Sequence, residues 1–84
     1  MERLLKNIQQ GLALQSSNYV DIKAEDVYLD HLFIALQYVG VLVIYINSFG
    51  SFRSEDGNIH TWIPSRPLSE QSQETIEALN KYYF

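Results

Sequence analysis

The chain has 84 residues, 46% hydrophobic and 19% charged, with ten acidic side chains against six basic ones and a net charge of −4. That leaves room for one core and excludes a disordered, collagenous or linker-type chain. The absence of cysteine excludes disulfide frameworks, thiolate metal centres and cysteine nucleophiles, and favours a cytoplasmic setting.

Met1, Leu4, Leu5, Ile8, Leu12 and Gln15 recur at helical spacing, with Glu2, Arg3, Lys6, Gln9 and Gln10 between them. This pattern predicts an amphipathic first helix ending near Ser16-Ser17-Asn18. The charges within Met1-Glu2-Arg3-Leu4-Leu5-Lys6 argue against a signal-peptide core. Gly11 inside the helix costs about 1 kcal/mol relative to alanine, so it marks either a close packing contact or an early end. Tyr19 to Lys23 alternates, with Val20 and Ile22 on one face, and predicts a short strand.

Residues 25–39 read best as a helix. Ala24, Val27, Tyr28, His31, Leu32, Ala35 and Val39 share a face, Glu25 and Asp26 suit a first turn, and Gly40 suits the end. Alternation from Tyr28 to Ala35 keeps a strand open. From Leu32 to Phe52 no residue is charged. A helix of that length could cross a bilayer, but the strongly apolar part ends at Ile46, includes Gln37, and is followed by the turn-forming Asn47, Ser48, Gly50 and Ser51. Neither flank carries a positive cluster. Val41 to Ile46 is nearly all β-branched or aromatic, so the segment Val41–Asn47 is expected to be a central strand, with no membrane span.

Ser51-Phe52-Arg53 and Asn58 to Ile63 flank Ser54-Glu55-Asp56-Gly57, where Asp56-Gly57 predicts a hairpin turn. Pro64 stops the ladder. Ser65 to Leu68 reads as a linker. Ser69 is expected to cap a last helix with Glu70 at its positive end. Leu68, Ser72, Ile76, Leu79 and Tyr83 form its apolar stripe, with Glu77 and Lys81 as an i,i+4 pair. The sum is a single α+β domain over residues 1–84: an antiparallel sheet of three to four strands covered by N-terminal and C-terminal helices, with the middle segment as a further helix.

Chemistry is sparse. Asp26, Asp30, His31 and His60 match no metal-binding spacing, and no cofactor motif is present. Phosphate binding would want a glycine-rich loop before a helix, which Ser48-Phe49-Gly50-Ser51 is not. No serine sits in a glycine-flanked elbow. A set built from Ser51 or Ser54, His60 and Asp56 would need a geometry that spacing does not supply. The six basic residues Arg3, Lys6, Lys23, Arg53, Arg66 and Lys81 are scattered, so direct nucleic-acid binding is not expected.

Aromatics are more informative, at 13% of the chain. Phe33, Tyr45 and Trp62 are expected in the core. Tyr19, Tyr38, Phe49, Phe52, Tyr82 and Phe84 are expected at least partly outside, where aromatic area suits a partner contact or a homodimer. The expected function is a non-enzymatic protein-binding module, an inhibitor or regulator that occupies a partner surface. Its contact residues are Tyr19, Phe49, Phe52, Arg53, Tyr82 and Phe84, rimmed by Glu55, Asp56, Glu70, Glu74 and Glu77. The alternative is a small acidic antagonist of a nucleic-acid-handling enzyme, of the phage anti-defence or immunity type, acting through the acidic groups. A small enzyme is the third reading.

Overall fold

The computed structural model describes residues 2–38 and 46–84. Among them are three α-helices, α1 (Glu2–Gln15), α2 (Leu29–Tyr38) and α3 (Gln73–Tyr82), and one antiparallel two-stranded sheet of β1 (Ser51–Arg53) and β2 (Ile59–Thr61). The α+β class stands, with two strands paired where three to four were expected. Val41 to Tyr45 of the expected central strand lie outside the described residues. No described helix is long and apolar enough to cross a membrane.

In α1 the centre of the predicted stripe is buried: Leu4, Ile8 and Leu12 are fully enclosed, while Leu5 is half-buried and Gln15 exposed. Burying each such side chain is worth about 1.5–3 kcal/mol. Gly11 is a packing contact and not an early end, because a β-carbon there would sit 2.6 Å from the carbonyl oxygen of Ala35 on α2. The two helices therefore cross where only a hydrogen fits.

The strand expected over Tyr19–Lys23 is absent. Ser16 accepts from the Asn18 N–H at 3.3 Å and starts a 3₁₀ turn at Ser17–Tyr19. Val20 is left exposed, and the Ile22 carbonyl accepts from Gln9 Nε2 at 2.7 Å. Alternation over five residues does not make a strand where local serine and asparagine hydrogen bonds offer the backbone a turn.

Residues 24–38 are helical in two pieces, a 3₁₀ turn at Ala24–Asp26 and then α2. Between them Val27 turns into the core, and its carbonyl accepts from the Leu68 N–H at 2.7 Å. His31 restarts the helix by accepting the Tyr28 N–H on Nδ1 at 3.0 Å, in the manner of a capping box.

Helix α3 begins later than Ser69. Ser69 and Glu70 lie in a 3₁₀ turn at Leu68–Glu70, and Ser72 is the N-cap, accepting from the Thr75 N–H at 3.1 Å. The cause is Gln71, whose buried side chain accepts from the Ile63 N–H at 2.8 Å. It also donates to the carbonyls of Ile63, Arg66 and Pro67 at 3.0, 2.8 and 3.3 Å. Those bonds hold Gln71 extended (φ −80°, ψ 157°) and delay the helix. Leu68, read as linker, is fully buried. Of the expected i,i+4 pair, Glu77 accepts from Gln73 Nε2 at 3.2 Å and the Lys81 ammonium lies 5.3 Å from the centroid of the Tyr82 ring.

Candidate functional site

The hairpin is set by two glycines. Gly57 (φ +87°) completes the Ser54-Glu55-Asp56-Gly57 turn, with its N–H donating to the Ser54 carbonyl at 3.0 Å. Gly50 (φ +85°) brings the chain out of the Asn47–Gly50 turn, and its carbonyl accepts from the Trp62 N–H at 2.8 Å. Between them Ser51 faces Thr61, Phe52 faces His60 and Arg53 faces Ile59. Ser54 N–H donates to the Asn58 carbonyl at 2.9 Å. Bonded rungs alternate along an antiparallel pair. With rungs 50–62 and 54–58 bonded, the backbone groups of Ser51, Arg53, Ile59 and Thr61 point away from the ladder.

Four of those outward groups find partners. Ser51 exchanges bonds with Asn47 through its carbonyl (3.0 Å) and its N–H (3.1 Å to Asn47 Oδ1). The Arg53 carbonyl accepts the Tyr83 hydroxyl at 3.0 Å, and the Thr61 carbonyl accepts Thr75 Oγ1 at 2.9 Å. Helix α3 is thus stitched to both strands. Phe52, Gly50 and Trp62 are buried, and Phe52 packs edge-on against Tyr83 at 5.7 Å.

At this seam lies a polar cluster. His60, 8% exposed, places Nε2 3.0 Å from Ser54 Oγ and Nδ1 3.2 Å from a Glu74 carboxylate oxygen. Ser54, 3% exposed, also donates to Asp56 Oδ1. Asp56 further accepts the Asn58 N–H (3.1 Å) and Asn58 Nδ2 (3.1 Å). The Ser54 hydroxyl bond, then the Asn58 amide bond, hold the Asp56 carboxyl below its ordinary value, with Tyr82 adding to the effect. Burial, then the charge of Glu55, pushes the Tyr83 phenol up.

The order Ser54, His60, Glu74 copies the connectivity of an acyl-transfer triad, but the protons run the other way. A carboxylate and a carbonyl only accept, so with the single Ser54 proton shared between Asp56 and the Asn58 carbonyl (3.2 Å), His60 Nε2 is the donor. A nucleophilic serine needs the reverse assignment and an exposed oxygen. The cluster therefore ties the turn to α3. Among the described residues no group of three or more histidine, aspartate or glutamate side chains is placed to hold a metal ion.

The residues expected at a contact surface divide. The hairpin tip reaches the end of α3, with Asp56 near Tyr82 and Glu55 near Tyr83, and Glu74 lies at His60. Phe52 is a correction: at 2% exposure it belongs to the core, because its position on the ladder points it at α3. Tyr82 and Phe84 are half-buried against the core. Tyr19 sits elsewhere, edge-on to His31 at 5.9 Å. Glu70 and Glu77 are exposed, but Glu70 precedes α3 and does not share its face. Phe33 is half-buried and Trp62 fully so, while Tyr45 lies outside the described residues.

What sequence reasoning missed, beside Phe49 and Arg53 on the other face of the hairpin, is the pair Ile59 and Ile63. Exposure alternates from Phe49 to Arg53 and again from Ile59 to Ile63, leaving Phe49 at 75%, Ile59 at 63% and Ile63 at 39%. A shallow recess lined by Ser51, Phe52, Arg53 and Ile59 opens there. The signal was the spacing of Ile59 and Ile63 around Trp62, which puts both opposite the one tryptophan. Comparison with protein-family models, with curated proteins and with solved structures finds no match to the chain.

Proposed function

We propose that the protein is a non-enzymatic protein-binding module whose contact surface is the outward face of the hairpin. Ile59 and Ile63 sit at its centre, with Phe49 and Arg53 beside them and Glu55 at the rim. The observation that carries this is the exposure of Ile59 on a pinned ladder and of Phe49 in the turn that leads into it. Large apolar side chains grouped on a stiff element suit partner contact, because little conformational entropy is lost on binding.

Ile59→Glu tests it. The side chain lies outside the core, so the fold should keep its stability to within about 0.5 kcal/mol. Proteins captured by the immobilised wild-type chain should be lost with the variant. An unchanged captured set from a folded Ile59→Glu chain would remove the contact from this face.

The electrostatic alternative, an acidic antagonist, draws on fewer groups than the charge count suggests. Asp56 is engaged within the turn and Glu74 faces His60, which leaves Glu55, Glu70 and Glu77. Binding abolished by raising salt, with Ile59→Glu silent, would favour it.

A further inference from the structure

We propose that His60 makes the seam between the hairpin and α3 a proton-responsive joint, drawn tighter in acid. The inference does not depend on the partner reading. His60 is enclosed on all sides: the Phe52 ring lies 5.4 Å away at 31°, Ser54 is at Nε2, and Glu74 is at Nδ1. The titratable groups that face it are Glu74 from α3, Asp56 from the turn acting through Ser54, and Tyr83 from the end of α3 acting through Phe52.

Because the Ser54 proton is shared between Asp56 and the Asn58 carbonyl, Nε2 carries a hydrogen in either charge state. Nδ1 is the variable atom. It is buried, has no hydrogen bond, and looks at a carboxylate oxygen 3.2 Å away. In the neutral ring a lone pair meets an anion. In the imidazolium an N–H⁺ meets it, and a small rotation of the exposed Glu74 side chain completes a charge-assisted bond. An unsatisfied buried acceptor costs free energy, and a proton at Nδ1 removes that cost. Acid therefore binds β2 to α3 through one side chain.

His31 is wired in the opposite sense. Its Nδ1 already accepts the Tyr28 N–H, so a proton there breaks a cap on α2, with Asp30 3.5 Å away as the facing charge. It serves as the internal control, since Glu74 does not touch it.

Glu74→Gln separates the two. Urea unfolding of wild type and variant is measured at pH 7.5 and 5.5, which spans the range in which imidazoles change charge. At pH 5.5 the substitution should weaken the folding equilibrium roughly threefold more than at pH 7.5, as suits a partly exposed pair. An equal cost at both pH values overturns the proposal.

Discussion

Gly50 and Gly57 offer a matched pair for measuring what the hairpin's lower end contributes. Their φ values, +85° and +87°, are nearly the same, so alanine at either position meets the same left-handed penalty of about 1–2 kcal/mol. Their surroundings differ. A β-carbon on Gly57 meets nothing within 4 Å, whereas one on Gly50 would fall 1.9 Å from the Trp62 carbonyl oxygen. Gly50→Ala must push the strands apart, lose the Trp62 N–H bond to the Gly50 carbonyl (about 1 kcal/mol) and shift a fully buried tryptophan (about 1–3 kcal/mol, as for an overpacked core). The expected total is about 3–6 kcal/mol, against about 4–12 kcal/mol for a domain of this length. Thermal unfolding followed by circular dichroism gives the readout. At about 4–8 °C per kcal/mol for small domains, Gly57→Ala should lower Tm by roughly 5–15 °C and Gly50→Ala by at least twice its own partner's loss, or abolish folding. Equal losses for the two variants would refute the close approach at Trp62.

Gln71→Glu keeps the shape of the side chain but removes its donors, so the carbonyls of Ile63, Arg66 and Pro67 lose their bonds and face a buried charge. It should cost more than Gln71→Ala, itself about 1–3 kcal/mol, by urea unfolding at pH 7. A milder effect of glutamate would mean the amide is not read in both senses. Asp56 and Tyr83 set the ends of the pH profile. The depressed Asp56 carboxyl contributes stability above its unfolded value of 3.8 that is lost as pH falls through its lower folded value. Asp56→Asn should therefore unfold less steeply with acid than wild type, and parallel acid curves would count against the turn bonds. The raised Tyr83 phenol contributes stability that is present below 10.0 and lost as pH rises through its higher folded value. Tyr83→Phe should flatten the alkaline limb, and an unaltered limb would contradict the burial of the phenol.

The parts legible in the sequence were those governed by neighbours along the chain. The α1 stripe of Leu4, Ile8 and Leu12 and the Asp56-Gly57 turn depend on local period and backbone freedom alone. The start of α3 was misplaced because Ser69 and Ser72 are equally good caps; Gln71 decides between them through bonds to Ile63, eight residues back. Val20 and Ile22 alternate as a strand would, but Ser16 offered a turn first. At the candidate site, Glu55, Asp56 and Tyr82 were picked for charge and aromaticity, and the approach of the hairpin tip to Tyr82 and Tyr83 depends on α3 lying across the ladder. The pairing of His60 with Glu74, 14 positions apart, needed that crossing to be known. Phe52 was assigned to the wrong side and Ile59 to neither, because two strands of three residues carry too few alternations to say which face looks inward.

The stitching of the ladder's rims has a consequence for how this molecule meets others. A short ribbon with bare backbone at its margins invites a stray chain to extend it, the first step toward fibrous deposits. Here Asn47, Tyr83 and Thr75 already occupy the outward groups of Ser51, Arg53 and Thr61. Strand addition along β1 must displace Asn47 and Tyr83, so recruitment through the broad side of the ribbon, where Ile59 stands, meets less resistance than growth on that rim.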